Sequence, residues 1–518
     1  MKPRRGRVVV PSLAGGLLVA LSLPPWGWWP LAFLGAAVLF VRLRGLPLRT
    51  RVLAGWAAGM GCFVPGLWWA ASFNWYGAVV LMAVEALTMA AAAALVPTAG
   101  AWRVPAFTGA FTLLEAARMS WPFGGLPLGG AFLGQASGPL LATARLGGPL
   151  LMTALVWLGG AALGSVALAA LDGRKAAAGG PAPPTHRLRR IGTGPGALAG
   201  TAAAAVVVAV AVGGALAPDG GPPVRDLPVA VVQGGGRRGT TEAQLDPATV
   251  FAAQVAATGD LPRSAGPDPA RLVVWPEDVI AVGPRLAGTA DAVQMASIAR
   301  RLRATVVAGV TETVSATAFR NEAVVWAPDG RVVGVYEKVH RVPFGEYVPD
   351  RSFFAHFASL SEVPLDAIPG HGTGELATPA GRLGLMLSYE VFFADRGRSA
   401  VRAGAELLVV PTNTSSYAAS QVPATEVAAD RVQAVEEGRT LVQAAPTGYS
   451  TVVGPDGRVE RRSVLGRRQA LTATVGLRVG KTVYERFGDP PVLGLAAGAL
   501  ALGLAGAAAR RRRAGRHS

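Results

Sequence analysis

Apolar windows separated by short polar breaks occupy most of the first 216 positions, and one more window covers 491–509. The windows run over 8–23, 30–41, 52–71, 79–99, 106–117, 150–171, 197–216 and 491–509, and each is read as a transmembrane helix. An apolar helix of about 20 residues crosses the roughly 30 Å hydrocarbon layer. Windows 30–41 and 106–117 fall short of that length, so they are expected to be re-entrant or to lean on neighbouring helices.

Between the seventh and eighth windows the pattern changes. Short β-branched runs appear at 227–233, 272–274, 304–310, 323–326, 383–387, 407–410 and 441–444, with helical stretches at 249–257 and 421–437 between some of them. Continuous apolar strands belong to sheets covered on both faces, so an α/β layered sandwich is expected here. Ala327-Pro-Asp-Gly330 separates two strand-like runs and predicts a hairpin. The expected organisation is a seven-span bundle over 1–218, a soluble domain over 219–489, and an eighth span with a basic tail over 490–518.

Hydrophobic residues make up 51% of the chain and charged residues 16%, and the mean hydropathy is +0.38, which excludes an ordinary soluble protein. The net charge of +17 raises the question of a nucleic-acid partner, and its location answers it. Segment 219–489 holds 28 basic and 29 acidic residues, whereas the rest of the chain holds 21 basic and 3 acidic. The excess clusters at 2–7, 42–51, 174–190 and 510–516, in the short loops and ends of the apolar regions, as the positive-inside rule requires. A nucleic-acid surface would instead concentrate charge on a folded soluble face.

With position 1 on the inside, every basic cluster falls on the cytoplasmic side and the soluble domain lies outside. Trp26, Trp28, Trp29, Trp68, Trp69 and Trp75 then form an aromatic belt near the outer surface. The basic start is like that of a signal peptide, but further spans follow at once, so a retained anchor is expected. Glu85 and Glu115 are costly in lipid; Glu85 is read as a packed polar contact, and Arg118 is a possible partner for Glu115. The one cysteine, Cys62, falls in an apolar window, so no intrachain disulfide or multi-cysteine metal site exists.

Four segments of the soluble domain carry candidate chemistry. Glu277 follows a buried strand through Trp-Pro, and Lys338, His340 and Glu346 crowd the stretch YEKVHRVPFGEYVP. An apolar strand runs into Ser388-Tyr389-Glu390, and another ends at Thr412-Asn413. Side chains at strand ends are well placed to line a site. Taken singly, each is more often a cap or a solvated surface group; together they set out the order Glu, Lys, nucleophile.

On these residues the chain resembles the nitrilase, or carbon–nitrogen hydrolase, superfamily, and more closely its membrane branch, the apolipoprotein N-acyltransferases. The likeness extends through SLPPWGWWPLAFLG, FTLLEAAR, HRVPFGEYVP, ADRVQAVEEGRTLVQAAPTG and YERFGDPP. It implies an αββα sandwich beside a bundle of eight spans, in a bacterial cytoplasmic membrane, with no cofactor and no metal. It also implies a reaction in which an acyl chain passes from a phospholipid donor to the enzyme, and then to the α-amine of a diacylglyceryl-cysteine on an apolipoprotein acceptor.

By the same resemblance Glu277 is the general base, Lys338 the oxyanion-stabilising cation and residue 388 the nucleophile. Asn321, Glu346, Tyr389, Glu390 and Asn413 take supporting or substrate-binding positions. Phe353, Phe354 and Phe357 form an apolar arm that dips into lipid.

The chain departs from the family at the nucleophile, which is Ser388 where the family has cysteine. A thiol ionises near pH 8.5, whereas a hydroxyl is a much weaker acid and depends on a well-placed base. Arg341 stands where leucine is usual, and TNTSSY where the family places an aromatic pair after Thr-Asn-Asp. Two functions follow from this. One is an acyltransferase acting through an acyl-enzyme on Ser388. The other is a catalytically degenerate relative serving as a membrane scaffold or lipid- and lipoprotein-binding partner, with a polyprenol-phosphate glycosyltransferase as a candidate partner. A soluble amide hydrolase of the nitrilase kind is the third and least favoured, because eight spans would serve it poorly.

Overall fold

A computed structural model describes residues 6–72, 74–178, 195–236, 246–261, 269–356, 359–361, 363–415 and 420–514. The chain divides into two compact units, Met1–Ala217 with Asp489–Ser518, and Pro218–Gly488.

The first unit is helical. Its helices are Gly6–Ala20, Pro30–Arg42, Leu48–Gly66, Trp75–Leu95, Arg103–Arg118, Ala144–Ala178, Pro195–Leu216 and Pro490–Ala514, so each apolar window falls on a helix. Among the described residues, four helical stretches are long and apolar enough to cross a membrane: Trp75–Leu95, Leu141–Arg174, Pro195–Leu216 and Pro490–Arg510. Gly6–Ala20 and Pro30–Arg42 are apolar but only 15 and 13 residues long. The window expected over 52–71 stops being α-helical at Gly66, and Trp68–Ser72 forms a 3₁₀ turn instead. Trp75–Leu95 begins where the Asn74 side chain accepts a hydrogen bond from the Gly77 amide at 2.8 Å.

Small residues set the helix spacing. A Cβ on Gly55 would lie 2.5 Å from the Met89 carbonyl oxygen, and one on Gly59 2.6 Å from Ala86 Cα. The Gly55-x-x-x-Gly59 face is therefore the seat of the helix Trp75–Leu95. Arg118 is buried and its guanidinium reaches Glu115 at 2.7 Å, Glu85 at 3.3 Å and the Leu128 carbonyl at 2.9 Å. Both acids are thus paired with one cation.

The second unit is a four-layer sandwich. In chain order its strands are β1 (Arg225–Gln233), β2 (Leu272–Val274), β3 (Ile280–Val282), β4 (Thr305–Thr313), β5 (Ala318–Trp326), β6 (Val332–Glu337) and β7 (Asp366–Ala367). There follow β8 (Glu375–Thr378), β9 (Gly381–Leu385), β10 (Leu407–Pro411), β11 (Leu441–Ala444), β12 (Thr451–Val453), β13 (Val459–Arg462) and β14 (Gln469–Leu477). One sheet has the order β14-β1-β2-β4-β5-β6, with β3 beside β4 and β7 beside β5; the other has the order β13-β12-β11-β10-β9-β8.

Alternation within the strands explains their unbroken apolar runs. Val229 and Val231 face the second sheet with Leu385, Leu407 and Val409, while Ala230 and Val232 face the helices Pro247–Gly259 and Ala290–Leu302. Both faces are dry, so apolar residues follow one another along the central strands. The helices Ala394–Arg402 and Val422–Glu437 pack on the second sheet. Val422–Glu437 is buried along nearly its whole length, acids included.

The expected hairpin forms, with Glu322 opposite Glu337, Ala327 N bonded to Arg331 O at 2.8 Å, and Gly330 at φ +83°. Both sheets are mixed, which the apolar runs did not foretell. β1, β2 and β4 are parallel, as are β9, β10 and β11, whereas β14 runs antiparallel to β1, and β5 antiparallel to β4 and β6.

Candidate functional site

The polar residues gather where parallel strands of both sheets end. β2 leads through Trp275-Pro276 into Glu277, β6 into Lys338, β9 into Ser388 and β10 into Thr412. The Glu277 amide donates to the Thr412 carbonyl at 3.3 Å, which ties the end of one sheet to the end of the other. Gly309 on β4 makes room for the first turn, because a Cβ there would lie 2.3 Å from Glu277 Cα.

Lys338 is 1% exposed and donates to Glu277 Oε1 at 2.8 Å and to Glu346 Oε1 at 2.7 Å. Asn321 Nδ2 donates to the same two oxygens at 2.9 and 3.1 Å, and the Val342 amide holds Glu346 Oε2 at 2.8 Å. Burial alone would lower the Lys338 ammonium, but the Glu277 and Glu346 carboxylates outweigh it and hold it well above the usual lysine range. Burial pushes Glu277 up to about 8, helped by Asp278 and Glu346 and opposed by Lys338. The group is a fixed cation beside a carboxyl group poised to take up a proton.

Ser388 stands between β9 and the 3₁₀ turn Ser388–Phe392 with φ +48°, a left-handed conformation that a non-glycine residue seldom adopts. Glu390 imposes the turn. Its Oε2 accepts from the Leu387 amide at 2.8 Å, and its Oε1 from the Val339 and His340 amides at 2.8 and 3.0 Å. Tyr336 OH also donates to it, at 2.9 Å, and Arg396 lies 3.8 Å away. One fully buried carboxylate thus joins the segment after Lys338 to the segment carrying Ser388.

Ser388 is half-buried, and its Oγ lies 3.0 Å from Thr412 Oγ1. Thr412 Oγ1 in turn lies 2.7 Å from Glu426 Oε1 on the helix Val422–Glu437. Asn413 donates to Asp278 at 3.3 Å, and Asp278 accepts from Thr311 at 2.8 Å. Tyr389 is buried with its ring 5.0 Å from that of Phe393, on which the His340 ring stacks at 4.1 Å.

Glu277, Lys338, Asn321 and Glu346 therefore form one hydrogen-bonded group, and Glu390 links it to Ser388. Among the described residues, Ser388 bonds Thr412 rather than Glu277 or Lys338. Phe353 is exposed on the short helix Arg351–Phe354, and Phe354 meets Phe344 edge-on at 4.9 Å; Phe357 lies outside the described residues. Arg341 sits over the Tyr347 ring at 3.9 Å and donates to the Ala367 carbonyl.

Glu426, Asp278 and Thr311 were not singled out from sequence. The available signal for Glu426 was its helical spacing to Asp430 and Glu437, which puts three acids on one face of the helix.

Two family models match. Residues 228–481 match the carbon–nitrogen hydrolase family, and residues 15–162 match the N-terminal domain of apolipoprotein N-acyltransferase. The apolipoprotein N-acyltransferase of Mycolicibacterium smegmatis is 30% identical over 92% of this chain and 81% of its own length. Those of Azotobacter vinelandii and Pseudomonas aeruginosa are each 29% identical over 94% of this chain and 92% and 93% of their own lengths. With a two-sheet carbon–nitrogen hydrolase domain and a helical unit both matched, and likeness running through nearly the whole length, the chain belongs to the apolipoprotein N-acyltransferase family.

Proposed function

We propose that this protein transfers an acyl chain from a membrane phospholipid to the N-terminal amine of a diacylglyceryl-cysteine on apolipoproteins, through an ester on Ser388. In the first half-reaction Glu277 takes the Ser388 proton and Oγ attacks the phospholipid acyl carbonyl. The Lys338 ammonium stabilises the oxyanion, and the glyceryl oxygen leaves with the proton held by Glu277. In the second, the lipoprotein amine attacks the Ser388 ester, Glu277 accepts its proton, and Ser388 Oγ departs and regains a hydrogen.

The observation that carries this reading is the Glu277–Lys338–Glu346 group at the ends of β2 and β6, its base and cation buried, with Ser388 held in a strained turn by Glu390 at the end of β9. Asn321 and Glu346 hold the cation, Tyr389 and Glu390 the turn, and Asn413 the loop after β10.

The membrane arrangement belongs to the same proposal. Eight spans place both termini inside and the domain 219–489 outside, where both lipid-anchored substrates lie. Support comes from the confinement of the basic excess to four clusters and from four helices long enough to cross a bilayer. Phe353, Phe354 and Phe357 are assigned to lipid contact; Phe353 is 53% exposed.

The test is acylation of the purified protein by a phospholipid carrying a labelled acyl chain. Label should appear on wild type, vanish in Ser388→Ala and persist in Ser388→Cys. Wild type without label, or Ser388→Ala labelled as wild type, would overturn the reading.

A further inference from the structure

The hydrogen-bond chain from Ser388 does not end at Thr412. Thr412 Oγ1 lies 3.0 Å from Ser388 Oγ and 2.7 Å from Glu426 Oε1, yet a hydroxyl has one hydrogen. It donates to one of these atoms and accepts from, or merely touches, the other. The two directions imply opposite roles. If Glu426 is ionised it takes the Thr412 hydrogen, and Thr412 turns a lone pair toward Ser388. If Glu426 is neutral it donates to Thr412, and Thr412 turns its hydrogen toward Ser388.

Glu426 is 2% exposed and Thr412 is wholly buried. Burial raises the Glu426 carboxyl well above its usual range, and Asp430 and Glu277 add to this against the Thr412 bond and Lys338. Among the described residues Thr412 is the hydrogen-bond partner of this buried carboxyl, its Oε2 has none and no cation pairs with it, so a charge there would stand uncompensated. Glu426 is therefore neutral and donates its O–H to Thr412, which turns its own O–H toward Ser388 Oγ.

We infer that Thr412 is a catalytic donor to the Ser388 oxygen and that Glu426 is the positioning residue that aims it, a pair that suits a serine nucleophile. This rests on Ser388 carrying the acyl group. Ser388 donates its own proton to Glu277, so Oγ develops negative charge on a small, hard atom as it attacks, and again as it leaves. A hydrogen bond from Thr412 lies ready for that charge at both moments. No proton passes through the chain. Glu277 passes the Ser388 proton to the glyceryl oxygen and later the amine proton to Ser388, and Thr412 and Glu426 keep theirs. A cysteine would need the donor less, because a thiol ionises near pH 8.5 and sulfur spreads the charge.

The experiment measures the rate of acyl-enzyme formation in full-length protein in detergent, with labelled phospholipid, in two backgrounds: wild type and Ser388→Cys. Thr412→Val removes the hydroxyl at constant shape and should slow wild type roughly 10–100-fold, but the Ser388→Cys protein less than about 3-fold. Thr412→Ser should restore most of the wild-type rate. Glu426→Leu should act like Thr412→Val, and Glu426→Gln, whose amide N–H still donates to Thr412, should lose distinctly less. The two Glu426 variants serve as a second measure should Thr412→Val fail to fold.

Equal losses in the two backgrounds would mark a structural role and overturn the inference while leaving Ser388 as nucleophile. Glu426→Gln as slow as Glu426→Leu would overturn the donor direction. Persistent label in Ser388→Ala would instead remove the reading on which the inference stands.

Discussion

Lys338 and Glu277 are both buried, and their charged atoms lie 2.8 Å apart at the ends of strands β6 and β2. Glu346, half-buried, sits on the other side of the same ammonium at 2.7 Å, so a single cation is shared by two carboxyl groups. Removing either partner leaves charge without its counterion, which costs far more than the intact pair contributes. Lys338→Met should therefore lower the stability of the soluble domain by about 3–5 kcal/mol. It should also reduce acyl-enzyme formation at least about 100-fold. Thermal unfolding and phospholipid labelling measure the two effects separately, and Lys338→Arg would rescue folding more than activity because its wider fork moves the charge.

With Glu277 as the proposed base, the pH dependence follows from that group. A base acts only when deprotonated, and Glu277 is pushed up to about 8 by burial against the pull of Lys338. Below that value the carboxyl holds a proton and cannot take one from Ser388. Above it the group is free to do so, and Lys338 is still charged because it stands well above the usual lysine range. Single-turnover acylation should thus rise with pH and level off above about 8, with Glu277→Gln flat and slow throughout.

How much of this was legible in the sequence follows from which contacts are local. Strands β2, β10 and β11 are legible to within a residue, because both of their faces are buried and their runs are apolar but for Gln443. β13, with the sequence Val-Glu-Arg-Arg, is an exposed edge and carries no such run. β14 alternates polar and apolar residues weakly and pairs with β1, more than two hundred residues earlier in the chain. Glu277, Lys338 and Ser388 each sit just past a legible strand, so their placement could be reasoned residue by residue. Glu426 could not, since what matters is its contact with Thr412, 14 residues earlier, and a helical glutamate normally faces water. The helix ends in the first unit moved for local reasons, such as the Asn74 cap.

Ser388 gives a stability prediction separate from its chemistry. At φ +48° a residue with a Cβ is strained by roughly 1–2 kcal/mol, whereas glycine is not. Ser388→Ala and Ser388→Gly both lose the hydroxyl, so both should be unlabelled by phospholipid. Ser388→Gly should nevertheless unfold at higher denaturant than Ser388→Ala, by about 1 kcal/mol. Equal stability would mean that the turn relaxes when the serine is removed. Ser388→Thr keeps a hydroxyl but adds a branch in a conformation hostile to it, and should label poorly.

Glu390 offers a test of the link between the two halves of the site. Its oxygens accept from three backbone amides and from Tyr336, so every partner is a donor. Glu390→Gln keeps the shape but turns an N–H toward at least one of those donors, which leaves two buried hydrogens facing each other. The expected loss is about 1–3 kcal/mol of stability, with a fall in labelling because Leu387 and Val339 no longer share an anchor. Glu390→Asp should also fail to recover labelling, since the shorter chain cannot reach both segments at once.

Gly309 tests whether the position of Glu277 matters apart from its charge. It lies on β4, carries no functional group and touches the Trp275-Pro276-Glu277 turn through its bare backbone. A Cβ there would stand 2.3 Å from Glu277 Cα and 2.7 Å from the Pro276 carbonyl oxygen, both main-chain atoms that cannot rotate away. Gly309→Ala must therefore push the turn outward or bend β4. A shift of a few tenths of an ångström lengthens the Glu277–Lys338 contact and the Glu277–Thr412 backbone bond together. Labelling should drop roughly 10–100-fold, as small misplacements of a base do, although every charged residue is retained. Full activity in a folded Gly309→Ala protein would show that the carboxylate tolerates displacement, and would weaken the assignment of Glu277 as the base.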